Sequence, residues 1–428
     1  MLLLLLKNSI IIAIKDLNSR FPLLFDMFPK SHFLLKTLIV SVFFLTCLHD
    51  ISAQRVTQHI TKIDYDTLSS IHLELKFEIG KGKATSKNDG TYLAGQLDKL
   101  IVFPNGYFLV SDRQKKTLEL FDSGGKHVKQ LAKKGNGPGE LPPYFILDKV
   151  GFNKFAVRDG QTYTIYLFSL TDQFQVNHLT TWSPSLKNNL RLEIIAALTP
   201  SSFLAVTTDW KKEIALNIPE YKKTIVKVIN DSFEVKDDSV HVLRKANSLF
   251  GDPKKLTPRV TFGGLAILGK PPYRFEDHLI PLGREGYIIA KSDDSTIYKF
   301  NTQCKLYDQI KLIIKNRKVA DSDLDNAFRN HEIASKNMKI RQALESYVKE
   351  LKPPFLNIWV SDKNILLHTD YSSAGNEYVL LNSDNGTPMG KFYLSEYEKV
   401  QQLKNGQIYT LNNFPFASDT IKIYQIKE

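Results

Sequence analysis

Cysteine is nearly absent from this sequence. The 428 residues include only Cys47 and Cys304, and Cys47 lies in an N-terminal segment that we expect to be removed. A mature chain with one cysteine has no partner for an intrachain disulfide. We therefore expect Cys304 to pack as a small apolar residue and not to act as a nucleophile.

Apolar runs long enough to span a bilayer are also missing. Residues 1–26 contain LLLLL and IIIAI, but charged residues interrupt them well before the roughly 18–20 apolar residues of a membrane span. From Met27, a lysine-containing stretch, the run TLIVSVFFLTCL and small residues up to Ala53 follow in the order of a secretory signal. We predict that Met27 is the true start and that residues 1–53 are a targeting segment. A buried N-terminal helix is the alternative.

Cys47 lies where the acylated cysteine of a lipoprotein would lie. The preceding Phe44-Leu45-Thr46 matches the usual Leu-small-small approach poorly, so we favour simple cleavage near Ala53 over a lipid anchor at Cys47. The expected location is periplasmic or extracellular, with an outer-membrane lipoprotein as the alternative.

The common catalytic motifs are absent too. KKGNGPGEL, residues 133–141, has GxGxG spacing before a strand-like run, whereas phosphate loops need GxxxxGK[ST] or GxGxxG before a helix. No GxSxG or CxxC occurs, and the histidines of the mature chain are isolated. His331 begins HEIAS, half of a zinc-protease motif, but no second histidine follows at position 335. We therefore expect no cofactor. The alternative is a calcium or zinc ion in the central channel of the β-propeller that the repeats below predict.

Charge excludes a nucleic-acid partner. The chain carries a formal net charge of +12, but its lysines are scattered and form no basic stripe. Such a balance favours solubility and anionic partners such as polysaccharide or lipid head groups.

What the sequence does contain is a repeated set of short strands. KLIVFP-NG-YFLVSD and TLELFD-SGG-KHVKQLA are two hairpins in succession, and related units follow with their first turns near positions 106, 153, 201, 285, 363 and 405. Units of about 40–50 residues with four strands each are typical of propeller blades. We predict an all-β, six-bladed β-propeller that occupies residues 54–428 as a single domain.

The last unit has only three strands, and a propeller needs its ends joined to avoid open sheet edges. Residues 71–80, IHLELKFEIG, alternate like a strand and stand alone at the mature N-terminus. We predict that this strand completes the last blade.

Two longer gaps between units predict insertions at about 231–270 and 318–353. The first is polar with scattered glycine and proline and predicts a loop excursion. The second contains one amphipathic helix at about 321–351, capped by Asp321 or Ser322 and ended by Pro353-Pro354. We expect the helix to pack across the propeller rim, and a partner-binding helix is the alternative.

The first unit resembles a known family. The run LVSDRQKKTLELFDSGGKHVKQLAKKGNGPGEL resembles the first blade of bacterial six-bladed β-propeller proteins related to NHL repeats, which are common as exported proteins of Bacteroidetes. The matching residues are Asp112, Phe121-Asp122, Gly125-Lys126, Gly135 and the GPGE of residues 137–140. The family has no general assigned activity, so the resemblance implies architecture and export.

Candidate binding residues come from the loops that should converge on the channel. We select Asn136, Glu140, Arg158 and Asp159. The alternative for each is that its side chain only forms hydrogen bonds with the backbone. Asp159 also belongs to a set of aspartates that follow the second strand of a blade, and we expect these to bond their own turns in preference to a metal. The set is Asp112, Asp159, Asp293 and Asp370.

Three functions are compatible with these features. The first is a monomeric binding or scaffold protein of the cell envelope that meets a protein, peptide or glycan and has no transmembrane helix in its mature chain. The second is a propeller enzyme, a lactonase-like hydrolase or lyase with a channel metal, which three or four converging acids and histidines would favour. The third is a lipoprotein of a nutrient-uptake complex. Whether the protein is an enzyme stays open, and we favour binding.

Expression from Met27 in a Gram-negative host tests the targeting prediction. We expect the exported protein to have an N-terminus near Gln54 and an intact mass that includes no lipid, because the small residues before Gln54 form the cleavage site. The Cys47→Ser variant should give the same mature mass. A mature chain that begins at Cys47 with a lipid mass attached would contradict the prediction.

Overall fold

The computed structural model describes most of the chain from residue 56 onward. Its described residues are 56–80, 94–135, 140–151, 153–183, 190–209, 221–230, 232–246, 249–251, 261–262, 265–269, 271–282, 285–329, 335, 337–413 and 419–427. The predicted targeting segment with Cys47, the candidate Asn136, and His331 lie outside the described residues.

The first half of the chain forms two N-terminal strands and three blades. The N-terminal strands are β1 (Thr57–Ile63) and β2 (Leu73–Ile79). The strands of blade 1 are β3 (Leu97–Val102), β4 (Phe108–Asp112), β5 (Thr117–Phe121) and β6 (His127–Lys133). The strands of blade 2 are β7 (Phe145–Gly151), β8 (Lys154–Asp159), β9 (Ile165–Leu170) and β10 (Val176–Trp182). The strands of blade 3 are β11 (Leu190–Thr199), β12 (Ser202–Asp209), β13 (Tyr221–Asn230) and β14 (Val235–Ala246).

The second half forms a small sheet, three further blades and two helices. The small sheet contains β15 (Leu249–Gly251), β16 (Thr261–Phe262) and β17 (Leu265–Gly269). The strands of blade 4 are β18 (Asp277–Pro281), β19 (Tyr287–Lys291), β20 (Thr296–Phe300) and β21 (Leu306–Ile314). The helices are α1 (Asp321–Arg329) and α2 (Met338–Glu345). The strands of blade 5 are β22 (Asn357–Val360), β23 (Asn364–Ser372), β24 (Gly375–Asn382) and β25 (Pro388–Leu394). The strands of blade 6 are β26 (Glu398–Lys404), β27 (Gln407–Asn412) and β28 (Thr420–Ile426).

The blades form a closed ring, so the predicted six-bladed β-propeller is confirmed. Within each blade the strands are antiparallel neighbours in chain order. The first strand of each blade is innermost, because β3, β7, β11, β18, β22 and β26 contact one another in that order and β26 contacts β3. The six predicted first-hairpin turns each join the innermost strand of a blade to the next strand, and they lie on one face of the ring.

The hydrophobic core is divided among the six interfaces between blades. In β5, for example, Leu118 and Leu120 pack in a cluster with blade 2, while Phe121 packs on the opposite side with blade 6. This follows from the period-two alternation of side chains along a strand. Each blade therefore contributes one face to each of two separate clusters, and the channel along the ring axis is left to the innermost strands.

The prediction of a single helix at about 321–351 is wrong in extent. α1 ends at Arg329 and α2 begins at Met338, because Asn337 has extended backbone and its side chain accepts hydrogen bonds from the amides of residues 339 and 340. An asparagine that caps a new helix cannot continue an earlier one. The buried apolar residues are Phe328, Ile340 and Leu344. Neither of the two described helices is long or apolar enough to cross a bilayer.

The predicted loop excursion at 231–270 also needs correction. Residues 235–246 form β14, the outer strand of blade 3, and pair with β13. The small sheet of β15 to β17 follows this strand. Glycine and proline are confined to the residues after β14, whereas the charged residues within 235–246 lie on an outer strand that tolerates them.

The N-terminal strands tie three blades together. β2 pairs antiparallel with β28, which confirms the prediction that it completes blade 6. β1 adds in parallel to β21 as a fifth strand of blade 4. Between them the chain crosses blade 5, where Ile71 N donates to Lys391 O at 2.7 Å and Lys391 N donates to Ser69 O at 2.9 Å. We call residues 57–79 the N-terminal strap.

One buried carboxylate anchors the connections on either side of blade 4 to blade 5. Asp370, on β23, accepts a hydrogen bond at 2.8 Å from Tyr273, which precedes blade 4. Its other oxygen lies 2.6 Å from the Lys352 ammonium and 3.2 Å from the Arg317 guanidinium, both of the segment that follows blade 4. The sequence predicts that Asp370 bonds its own turn. The structure shows that it also binds residues of two distant segments of the chain.

A second acid on β24 extends this network. Glu377 lies 3.2 Å from Arg317 Nη1 and accepts a hydrogen bond of 2.7 Å from Thr369. Burial raises the pKa of Glu377, but the Thr369 hydrogen bond and the Arg317 charge outweigh burial and hold it below its usual range. We call Asp370, Glu377, Arg317 and Lys352 the blade-5 ion cluster.

Loss of the Asp370 charge should destabilise the protein strongly. We expect Asp370→Asn to lower the free energy of unfolding by about 1.5–3 kcal/mol, because Lys352 and Arg317 would each lose one carboxylate partner and keep only Asp323 and Glu377. Chemical denaturation checks this. Asp384→Asn, at an exposed turn of the same blade, is the control, and equal unfolding midpoints for the two variants would contradict the prediction.

Candidate functional site

The central channel has two ends that differ in construction. At one end, the six first-hairpin turns meet; we call this the turn mouth. At the other end lie the connections from one blade to the next, and we call this the loop mouth. Glu140, Arg158 and Asp159, the predicted binding residues that the structure describes, belong to the connections and strand ends on the loop-mouth side.

Glu140 is built into the connection between blades 1 and 2. Residues 134 and 141 form a β-bridge, Gly135 N donates to Leu141 O at 3.1 Å, and Leu141 N donates to Lys133 O at 2.9 Å. The Glu140 carboxylate lies so close to Gly135 that a Cβ there would stand 1.8 Å from its Oε2. The described residues 133–135 and 140–141 of this stretch therefore form a corner between blades, and Glu140 packs within that corner.

Arg158 and Asp159 are adjacent in sequence but have different surroundings. Asp159 is buried and accepts hydrogen bonds from Gln161 N at 2.8 Å and Thr162 Oγ1 at 2.7 Å. Both donors belong to its own turn, as the structural alternative predicts. Arg158 is partly buried and lies near two acids of the channel wall. The geometry brings Arg158 together with other charged groups.

The charged groups around Arg158 come from three blades. Its Nη2 lies 3.5 Å from Asp148 Oδ2, on β7 of the same blade, and 4.0 Å from Glu193 Oε1, on β11 of blade 3. Lys99, on β3 of blade 1, is close enough to Asp148 to influence its ionisation. Arg158 Nε is buried and has no acceptor among the residues that the structure describes. We call Lys99, Asp148, Arg158 and Glu193 the channel cluster.

Asp148 is held in a setting that disfavours its charge. Burial raises the pKa of its carboxyl to about 6, the Arg158 charge works against this shift, and the Glu193 charge adds to it. A carboxyl of shifted pKa beside a charged partner in a cleft is typical of functional sites. Sequence reasoning missed Asp148, although a charged pair in the middle of the innermost strand FILDKVG was the available signal.

The next residue, Lys149, points to the other end of the channel. It lines a cavity of about 90 Å³ at the turn mouth, together with Lys154, Asp362 and Lys404. Burial lowers the pKa of Lys149 to about 8, and the Lys404 charge lowers it further, against the opposing effect of Asp362. Of these two adjacent residues of β7, Asp148 therefore belongs to the channel cluster and Lys149 lines the cavity at the turn mouth.

The described residues offer no constellation for metal or nucleophilic chemistry. No three histidine, cysteine, aspartate or glutamate side chains in the described ranges come together as metal ligands. His368 is buried, and burial lowers its pKa to about 4. Cys304 packs in the cluster between blades 3 and 4, and burial raises the pKa of its thiol. A thiol of raised pKa is a poor nucleophile, in agreement with a packing role.

Comparison with known proteins gives no family. No protein-family model matches the chain, and no curated protein matches it. A Bacteroides fragilis protein that is provisionally named as exported is 12% identical, with a TM-score of 0.46 over 87% of this chain and 100% of that one. A Bacteroides thetaiotaomicron protein of unknown function is 10% identical, with a TM-score of 0.36 over 87% of this chain and 75% of that one.

A luciferin-regenerating enzyme is a third similar structure. It is 9% identical and has a TM-score of 0.34 over 78% of this chain and 93% of that one. All three TM-scores lie below 0.5, so these similarities carry no argument about the activity or location of this chain. The propeller assignment depends on the strand order of its own sheets.

Replacement of Asp148 by asparagine should stabilise the protein increasingly as pH rises. The folded-state pKa of about 6 lies above the reference value of 3.8, so ionisation of this carboxyl opposes folding. The stability gained by Asp148→Asn should therefore grow between pH 5 and pH 8, by about 1 kcal/mol.

Thermal and chemical unfolding of the two proteins across this pH range measures the effect. Asp172→Asn, on an exposed turn of blade 2, controls for the amide substitution itself. A stability difference that is constant or shrinks as pH rises would contradict the prediction.

Proposed function

We propose that the protein is an exported binding protein of the cell envelope whose ligand enters the channel from the loop mouth. The observation that carries this proposal is the channel cluster, in which charged side chains of three blades meet on the channel wall. Its Arg158 Nε–H group is buried and has no acceptor among the described residues, so protein acceptors do not saturate the guanidinium.

The energetic cost of the cluster supports a binding role. Buried charges lose hydration, and well-packed apolar side chains of similar size are often at least as stabilising as a buried ion pair. Asp148 is partly buried, and burial raises the pKa of its carboxyl, in keeping with such a cost. A polar ligand that donates to the acids and accepts from Arg158 would offset it, which favours an envelope glycan or peptide.

The alternative is a propeller enzyme with a channel metal. Convergence of acids and histidines on the channel would favour it, and the described residues contain no such group. The channel cluster instead pairs acids with an arginine and a lysine, whose positive charges disfavour a cation between them.

The proposed location depends on the sequence of the N-terminal segment. Residues 27–53 have the order of charged, apolar and small-residue regions of a secretory signal. The resemblance of the first blade to exported six-bladed propellers related to NHL repeats agrees with this location. The proposed partner is a protein, peptide or glycan of the envelope, bound by a monomer.

Binding assays with the mature chain, residues 54–428, test the proposal. Peptidoglycan fragments and envelope oligosaccharides of defined composition serve as probes, and retained compounds are identified by mass spectrometry. We expect Arg158→Met to weaken retention by about tenfold or more, the loss of one hydrogen bond to a charged group. Arg329→Met, in an exposed ion pair of α1, should retain the compounds as the wild type does.

Two outcomes would overturn the proposal. One is retention that Arg158→Met leaves unchanged, since the ligand would then lie elsewhere. The other is stoichiometric calcium or zinc in protein purified without chelator, together with metal-dependent turnover of a lactone or ester. Elemental analysis and a lactone and ester screen provide these measurements.

A further inference from the structure

We infer that the cavity at the turn mouth is a second binding site, for a small oxyanion such as phosphate, sulfate or a carboxylate. The cavity has a volume of about 90 Å³ and is walled by the hairpin turns of blades 1, 2, 4, 5 and 6. It lies at the end of the channel opposite the loop mouth and uses none of the channel-cluster residues. The inference therefore stands independently of the proposed function.

Two lysines face the cavity without adequate counter-charge. Lys149 makes no hydrogen bond or ion pair with the residues that the structure describes, and the nearby charge of Lys404 disfavours its protonated form. Asp362 is the one described acid in the cavity wall; its Oδ2 lies 4.0 Å from Lys404 Nζ, and its side chain is 70% exposed. A partly buried cation without a partner is costly, and an anion between Lys149 and Lys404 would offset both the lost hydration of Lys149 and the repulsion between the two lysines.

The remaining wall is held rigidly by contacts between blades. Lys154 donates to the carbonyl oxygen of Pro200 in blade 3 and lies over the Phe203 ring at 5.2 Å. Gln402 of blade 6 accepts from Val102 N of blade 1 at 2.8 Å. These contacts fix the turns around the cavity, so the cations are positioned before an anion arrives, and little ordering is needed on binding.

The size of the cavity limits the ligand. A cavity of about 90 Å³ has room for a tetrahedral oxyanion. We therefore assign the site to a free inorganic oxyanion or a small carboxylate.

Titration of the exported full-length protein with sodium phosphate tests this site. Sodium sulfate and sodium acetate are parallel probes, and sodium chloride keeps the ionic strength constant. We expect a saturable rise in the melting temperature with at least one oxyanion, because a ligand that binds only the folded state stabilises it. Isothermal titration calorimetry then gives the stoichiometry, which should be one anion per chain.

Variants separate a specific site from a general salt effect. Lys149→Met should abolish the oxyanion response and raise the melting temperature in oxyanion-free buffer, because it removes an unpartnered, partly buried charge. Lys404→Met should weaken oxyanion binding by about tenfold or more. Lys363→Met, on the exposed turn beside Asp362, is the matched control and should respond as the wild type does.

The inference fails if none of the three oxyanions stabilises the wild type beyond chloride. It also fails if Lys149→Met and Lys363→Met respond equally, which would indicate an adventitious ion only. Arg158→Met should keep the full oxyanion response, so failure of this site and failure of the proposed function are distinguishable.

Discussion

A closed ring is the constraint on which the rest of this structure depends. The hydrophobic core is divided among the interfaces between blades, so each cluster requires two neighbouring blades in place. The cluster between blades 6 and 1 brings together Phe108 of the first blade in the chain and Ile423 of the last. The pairing of β2 with β28 extends this cluster, because Phe77 of β2 packs against it. Without this pairing, blade 6 would have an open outer edge at β28.

Closure of the ring also creates the electrostatics of the channel. Asp148 and Lys149 are neighbours on β7, yet Asp148 meets Glu193 of blade 3, whereas Lys149 meets Lys404 of blade 6. Both groups have pKa values shifted toward neutrality, because burial penalises either charge. The result is one channel with a mixed acidic and basic wall toward the loop mouth and a basic cavity at the turn mouth. The two regions thus begin at adjacent residues of one innermost strand, whose successive side chains point to opposite faces.

The fold was predictable from the sequence because propeller blades are built from local hairpins. Turn residues such as Asn105-Gly106 and the alternation of Leu118, Glu119 and Leu120 identify neighbours that are close in the chain. β14 was missed because its charged sequence resembles a loop, and its partner strand β13 belongs to the least regular blade. The break between the helices was missed because apolar spacing continues across Asn337, whose capping role depends on its backbone conformation.

The sites were less predictable than the fold. Arg158 could be selected because it ends a strand beside a loop, but its partners Asp148 and Glu193 lie in the middle of innermost strands. Their proximity depends on the angle between blades, which no local pattern encodes. The same holds for Lys149 and Lys404, which lie far apart in the chain and meet only across the ring axis.

The blade-5 ion cluster makes distant segments of the chain behave as one unit. Tyr273 comes from the residues before blade 4 and Lys352 from the residues after α2. Both donate hydrogen bonds to the carboxylate of Asp370. If one segment opens, the Asp370 carboxylate loses one of its donors, and the contact that it makes with the other segment is weakened. The two segments should therefore open together, as a single cooperative unit in native-state hydrogen exchange. A protease that cuts between the two helices would, by the same coupling, expose the connection between blades 3 and 4.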